Sequence, residues 1–147
     1  MPESDDDFGG VPNDVWEELY ARARDVRRNA YAPYSEFPVG AALLTESGEI
    51  VAGCNVENAS IGGTVCAERT ALGTAIARGE REFRALCVVT EADPPAAPCG
   101  ICRQVLTEFC EELPILMANE EGAREFTTLA ALFPRAFTGL PDDASNS

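Results

Sequence analysis

Histidine is absent from all 147 residues, and so is lysine; the 11 basic residues are all arginines. Without histidine the chain has no imidazole to ligate a metal, act as a general base or complete a Ser-His-Asp triad. Any proton transfer must rest on Glu, Asp, Cys, Tyr or Arg. Positive charge is also scarce: 25 acidic residues outweigh those arginines and leave a net charge of −14. That balance disfavours nucleic acid as a partner, because phosphate contacts dominate nucleic-acid affinity. It also matches the acidic surface of a salt-adapted, halophilic protein. No apolar run approaches the ~20 residues that span a bilayer, so no membrane partner is expected. The opening MPESDDDFGG lacks the apolar segment of a secretory signal, which makes a cytoplasmic location the expectation. In that compartment six cysteines read as thiols or metal ligands rather than disulfides.

What is present is one domain's worth of alternating elements. Residues 1–12 and 139–147 are acidic and small, and are expected as tails around a single domain at 13–138. Asn13 can cap a helix running to about Ala32, with Val15, Trp16, Leu19, Tyr20 and Val26 as its apolar stripe. FPVGAALLTESGEIVAGCNV predicts a hairpin, with strands near 39–45 and 49–55 about a Glu-Ser-Gly-Glu turn. A helix from about Cys66 to Arg78 can end on Gly79. RALCVVTEA predicts a buried strand, CGICRQVLTEFCEEL a second helix after Pro98, PILMAN and AREFTT further strands, and TLAALFP a last helical turn. This order implies an α/β fold: a mixed sheet of about five strands with helices on both faces, three layers in all.

Three cysteines carry the chemistry. Cys99 and Cys102 form a Cys-x-x-Cys pair at one predicted helix start, and Cys66 opens another. The helix dipole and free N–H groups at such positions favour the thiolate, the form zinc requires. Structural zinc takes four protein ligands, whereas catalytic zinc keeps one position open for water. A fourth thiol would have to be Cys54, Cys87 or Cys110. Of these only Cys54, at a strand end, is placed for it, and all three read as small buried hydrophobes. Three ligands and an open position form the better account. Glu68, two residues past Cys66, can point back toward the metal without binding it. Alone it could equally complement the helix dipole.

CAE at 66–68 and PCGIC at 98–102 form the three-cysteine version of the zinc-deaminase signature. The chain resembles the small free-nucleoside cytidine deaminases, and YAPYSEFPVGAALL, GCNVENAS and LFPRAF extend the likeness over about residues 13–138. The resemblance implies hydrolytic deamination of cytidine and deoxycytidine, as in pyrimidine salvage, yielding uridine or deoxyuridine and ammonia. It implies one Zn²⁺ per chain on Cys66, Cys99 and Cys102, with Glu68 shuttling the proton of a zinc-activated water. Asn55 and Glu57 would bind the ribose hydroxyls, Phe37 would pack beside the nucleoside, and the Ala67 backbone would contact the base. Phe137 would stack on the pyrimidine of a neighbouring subunit in a homotetramer with shared sites. Arg69 and Gln104 match supporting positions, and Arg69 (with Arg103 the alternative) could offset the −1 charge of three thiolates on Zn²⁺. Ile61 departs from the pattern, since some relatives carry a tyrosine there. A blasticidin-type or nucleotide deaminase, or a four-ligand structural zinc module, are the competing readings.

Overall fold

In the computed structural model, which describes residues 3–138, the first helix, α1, spans Asn13–Arg27. Trp16, Leu19 and Ala23 form its buried stripe at helical spacing. Asn13 is not its cap. The Pro12 carbonyl takes that position, accepting from the Val15 and Trp16 N–H groups at 3.0 and 3.1 Å. Asp14 in the first turn and Arg24 and Arg27 in the last complement the helix dipole. The helix stops at Arg27 rather than near Ala32. Pro33 disfavours helical geometry at Ala32, and Tyr31 is drawn into a bridge with Val56.

The hairpin follows as β1 (Gly40–Thr45) and β2 (Ile50–Cys54). Gly48 supplies the positive φ of 98° at its turn, a value that L side chains rarely adopt. Next come α2 (Ala67–Ala77), β3 (Phe83–Val89), α3 (Gly100–Phe109), β4 (Pro114–Ala118), β5 (Arg124–Thr128) and the short α4 (Leu129–Leu132). The strands form one mixed sheet in the order β2-β1-β3-β4-β5, in which only β3 and β4 run parallel.

Period-two alternation divides the sheet between two cores. Ala41, Leu43, Leu86, Val88, Ile115 and Met117 face Ala71, Leu72 and Ala75 of α2 and Leu106 of α3. Ala42, Leu44, Cys87, Val89 and Leu116 face Trp16, Leu19 and Ala23 of α1. The expected three-layer α/β/α arrangement is therefore present. β3 and β4, covered on both faces, need the near-continuous apolar runs their sequences show.

The segment before α1, expected as an acidic tail, is anchored instead. Val11 is buried, and the Phe8 ring lies 4.9 Å from that of Phe126. Trp16 Nε1 donates to the Phe8 carbonyl at 3.1 Å. Apolar side chains at positions 8 and 11 outweigh the acidic residues before them. Residues 1–2 and the expected tail at 139–147 lie outside the described residues.

Candidate active site

The N-termini of α2 and α3 meet on one face of the sheet. Cys66 is the cap residue of α2 and Cys99 that of α3, both extended and neither making a side-chain capping bond. The first-turn N–H groups of both helices are thus left to favour negative charge on sulfur. Cys102, one turn into α3, is fully buried. The three Sγ atoms lie within 4.8 Å of one another, and those of Cys66 and Cys99 are 3.5 Å apart. A tetrahedral zinc with ~2.3 Å bonds to sulfur needs its thiolates about 3.8 Å apart, so the donor set fits. Among the described residues no fourth Cys, Asp or Glu joins the group. Burial pushes Cys87 up to about 12 and Cys110 to about 11, and raises Cys54. These three behave as small hydrophobes, and Cys54 is no fourth ligand.

The surroundings favour a thiolate at Cys66. Hydrogen bonding from Cys102, aided by the Arg69 guanidinium and Cys99 and opposed by burial, holds Cys66 at about 5. Cys102 is pushed up by the same pairing and by its burial. Arg69 Nη2 lies 3.6 Å from Cys66 Sγ and donates to the Thr64 carbonyl at 3.1 Å. Its Nε is buried without a partner, an orphaned donor beside the thiolate cluster. Arg103 fixes the approach to Cys99, with Nε donating to the Pro98 carbonyl at 2.8 Å and Nη1 to that of Leu132 at 3.0 Å.

Above the sulfurs opens a cavity of about 230 Å³. Glu68 lines it and is only 5% exposed. Burial is the main cause that raises its carboxyl, and the neighbouring Cys66 charge adds to it. Cys102 Sγ lies 3.7 Å from Glu68 Oε1. Such a carboxyl is poised to hold a proton or release it.

Comparison with known proteins decides the family. Residues 14–117 match the family described as the cytidine and deoxycytidylate deaminase zinc-binding region. The chain belongs to the cytidine deaminase family. A cytidine deaminase of Sporosarcina psychrophila is 50% identical over 123 residues, covering 83% of this chain and 90% of the relative. The crystal structure of a Burkholderia pseudomallei cytidine deaminase superposes with a TM-score of 0.80 at 48% identity, covering 82% of this chain and 98% of that one. That of Mycobacterium tuberculosis gives 0.72 at 40% identity, covering 85% and 98%. As a cytidine deaminase family member the chain is a hydrolytic deaminase that carries one Zn²⁺, for which the three-cysteine cluster provides the ligands.

The family's expected site residues separate into groups. Phe37, Asn55, Glu57, Cys66, Ala67, Glu68 and Cys99 all line the cavity. Cys102 and Arg69 lie behind Cys66. Gln104 and Phe137 stand apart and are joined to each other, Gln104 Nε2 donating to the Phe137 carbonyl at 2.6 Å. The Phe137 side chain is 62% exposed and is not part of its own chain's cavity wall. Asn55 is already engaged: Nδ2 donates to the Phe37 carbonyl at 3.0 Å, and Oδ1 accepts from Val39 N–H at 2.9 Å. Glu57 accepts from Tyr34 N–H, Ser35 N–H and the Ser35 hydroxyl. These bonds, the Ser35 hydroxyl foremost, hold its carboxyl below the ordinary range against the opposing effect of burial.

Sequence reasoning missed Ser35 and the wall formed by Thr90, Ala96 and Ala97. Ser35 lay inside the quoted YAPYSEF stretch. The proline-rich stretch DPPAAP between strand and Cys-x-x-Cys was the available signal for the wall.

Proposed function

We propose that this chain deaminates cytidine and deoxycytidine to uridine and deoxyuridine with release of ammonia. The observation that carries the proposal is one cavity holding a buried carboxyl, Glu68, against a three-thiol metal cluster. Cys66, Cys99 and Cys102 would hold the zinc. When bound, zinc supplies the Lewis acidity that makes water a competent nucleophile at neutral pH. Glu68 moves the protons. Its Oε atoms accept one from the attacking water and deliver it to N3 of the pyrimidine; they then take the proton of the new C4 hydroxyl and pass it to the amine, which leaves as ammonia while C4 becomes a carbonyl. The raised carboxyl suits both halves of that duty.

The remaining lining residues bind and orient. Glu57 retains acceptor capacity beyond its three bonds and Asn55 a second amide hydrogen, so each can take a ribose hydroxyl. Phe37 offers an apolar side to the nucleoside, and the Ala67 backbone faces the base. Arg69 sets a positive charge against the thiolates.

The exposed Phe137 supports stacking into a neighbouring subunit's cavity, and with it a homotetramer with shared sites. Tyr31, Tyr34, Ile61 and Ile101 are further exposed apolar side chains that such an assembly would cover. An arginine-only, strongly acidic composition supports a halophilic source, and the unpaired thiols support a reducing, cytoplasmic setting for pyrimidine salvage. Residues 13–138 form the deaminase domain in this reading.

The test follows the ultraviolet change of cytidine to uridine across salt concentrations, with and without a chelator. The zinc-loaded chain should turn cytidine over, and chelation should stop it. Glu68→Gln should keep the fold and one zinc per chain while losing turnover. Wild-type turnover by that variant would refute the role of Glu68, and an inert zinc-loaded wild type would refute the function.

A further inference from the structure

We infer that Arg27 is a positioning residue that sets the spacing between the two walls of the substrate cavity, and through it the affinity for the nucleoside. The inference rests on the deaminase reading above. One wall is the segment 35–39, carrying Phe37; the other follows β3 and carries Thr90, Ala96 and Ala97. The two walls belong to paired strands, but the β1–β3 ladder ends at Gly40 opposite Val89. Beyond that pair no ladder bond holds them together.

Arg27 sits where the ladder ends. Its Nε donates to the Pro38 carbonyl at 2.9 Å, directly beside Phe37. Nη2 faces Glu91, directly beside Thr90, at 3.6 Å, and Nη1 pairs with Glu120 after β4 at 3.0 Å. One guanidinium therefore joins both walls to the end of the parallel strand pair. Its side chain is only 16% exposed, so the bond to the Pro38 carbonyl is shielded from water while the two carboxylates stay accessible to it. The helix cannot drift from this place. A Cβ on Gly40 would lie 2.9 Å from Arg27 Cβ and nearer still to the Ala23 carbonyl, so backbone meets backbone there.

The cavity side of the first wall has separate anchors in Asn55 and Glu57. Loss of Arg27 would leave the wall folded but free to swing away from Thr90. Neither the cysteines nor Glu68 touches Arg27, so the chemical step should survive. A lysine cannot replace it. An ammonium is a point donor and cannot reach Pro38 and the two carboxylates in the fixed arrangement of the planar fork.

The experiment measures kcat and KM for cytidine, zinc content, and amide hydrogen exchange at residues 36–39 and 90–92 in wild type and in Arg27→Met, Arg27→Lys, Glu91→Gln and Glu120→Gln. Arg27→Met should raise KM about tenfold, the scale of one charge-assisted hydrogen bond, with kcat within about twofold and one zinc retained. Arg27→Lys should leave KM raised by about fivefold or more, and Glu120→Gln by about two- to threefold. Glu91→Gln, removing the longest and most exposed contact, should change it by less than about twofold. Exchange at the wall amides should quicken in both Arg27 variants. Wild-type KM and exchange in Arg27→Met would overturn the inference, as would parallel loss of zinc and kcat. Should Arg27→Met fail to fold, unchanged KM in both Arg27→Lys and Glu120→Gln would overturn it. A zinc-loaded wild type that leaves cytidine intact would sink the deaminase reading instead, and the exchange rates would still decide Arg27.

Discussion

The same substitution, glycine to alanine, should have opposite effects at Gly53 beneath α2 and at Gly73 on that helix's exposed side. Gly53 in β2 lies beneath α2. A Cβ there would stand 2.9 Å from Ala71 Cα and Thr70 C and closer still to the Ala71 nitrogen, where ordinary contact begins at 3.4 Å. All three neighbours are backbone, so no rotamer change relieves the clash. The 2.9 Å contacts alone ask the helix to retreat by 0.5 Å to reach 3.4 Å, and the nearer Ala71 nitrogen asks for more. Overpacking of this kind costs typically about 1–3 kcal/mol, and rigid backbone neighbours place Gly53→Ala at the upper end. A loss of about 3 kcal/mol in a chain of this size lowers Tm by about 10 °C. Function should suffer further, because Glu68 and the Cys66 cap occupy the first turn of the displaced helix. A misplacement of the order of 1 Å in a catalytic group can cost about 10²-fold in rate.

Gly73 lies on the exposed side of the same helix, and nothing comes within 4 Å of its virtual Cβ. Gly73→Ala should therefore stabilise α2 by about 0.5–1 kcal/mol, raising Tm by a few degrees with turnover unchanged. The assay is thermal unfolding of the zinc-loaded chain at one protein concentration, paired with cytidine turnover and zinc content. A Gly53→Ala chain that melts within about 2 °C of wild type would refute the close approach of β2 and α2.

Two further outcomes follow from the electrostatics. Arg69→Gln should retain one zinc but lose turnover, since the three-thiolate site would lose its adjacent cation; unchanged kcat would count against that role. Glu57 is a carboxylate held below its ordinary range, so its contribution to stability is present above the ordinary value of about 4.3. It disappears as pH falls through the lowered folded value. Removing the Ser35 hydroxyl, the largest cause of the lowering, should move that loss toward higher pH. Melting of Ser35→Ala between about pH 3 and 6 checks the sign, and an identical acid limb in variant and wild type would refute it.

What could be read from the sequence was whatever chemistry is local along the chain. Cys66 and Glu68 share a helix start, as do Cys99 and Cys102, so the thiol spacing pointed to a metal, while the proton-transfer role of Glu68 needed the family resemblance beside it. Helical periodicity, turn signals and short apolar runs located every strand and helix of the sheet layers. The errors fell where tertiary contact overrides local pattern. α1 was read too long because its end is set by the Tyr31–Val56 bridge, a contact between segments far apart in sequence. Phe8 was read as tail because its aromatic partner, Phe126, lies at the other end of the chain. Asn55 and Glu57 were assigned to the sugar on family likeness, yet in the fold they also hold the loop that carries Phe37. The proposed sugar-binding role is compatible with this: a carboxylate with about four acceptor positions and an amide with two donors can anchor a loop and still bind a hydroxyl, so these groups would be preorganised by the wall they support. Arg27 completes that wall from outside through bonds to residues 38, 91 and 120. No motif joins these positions, and only the end of the β1–β3 ladder at Gly40 and Val89 leaves the arginine two segments to bridge.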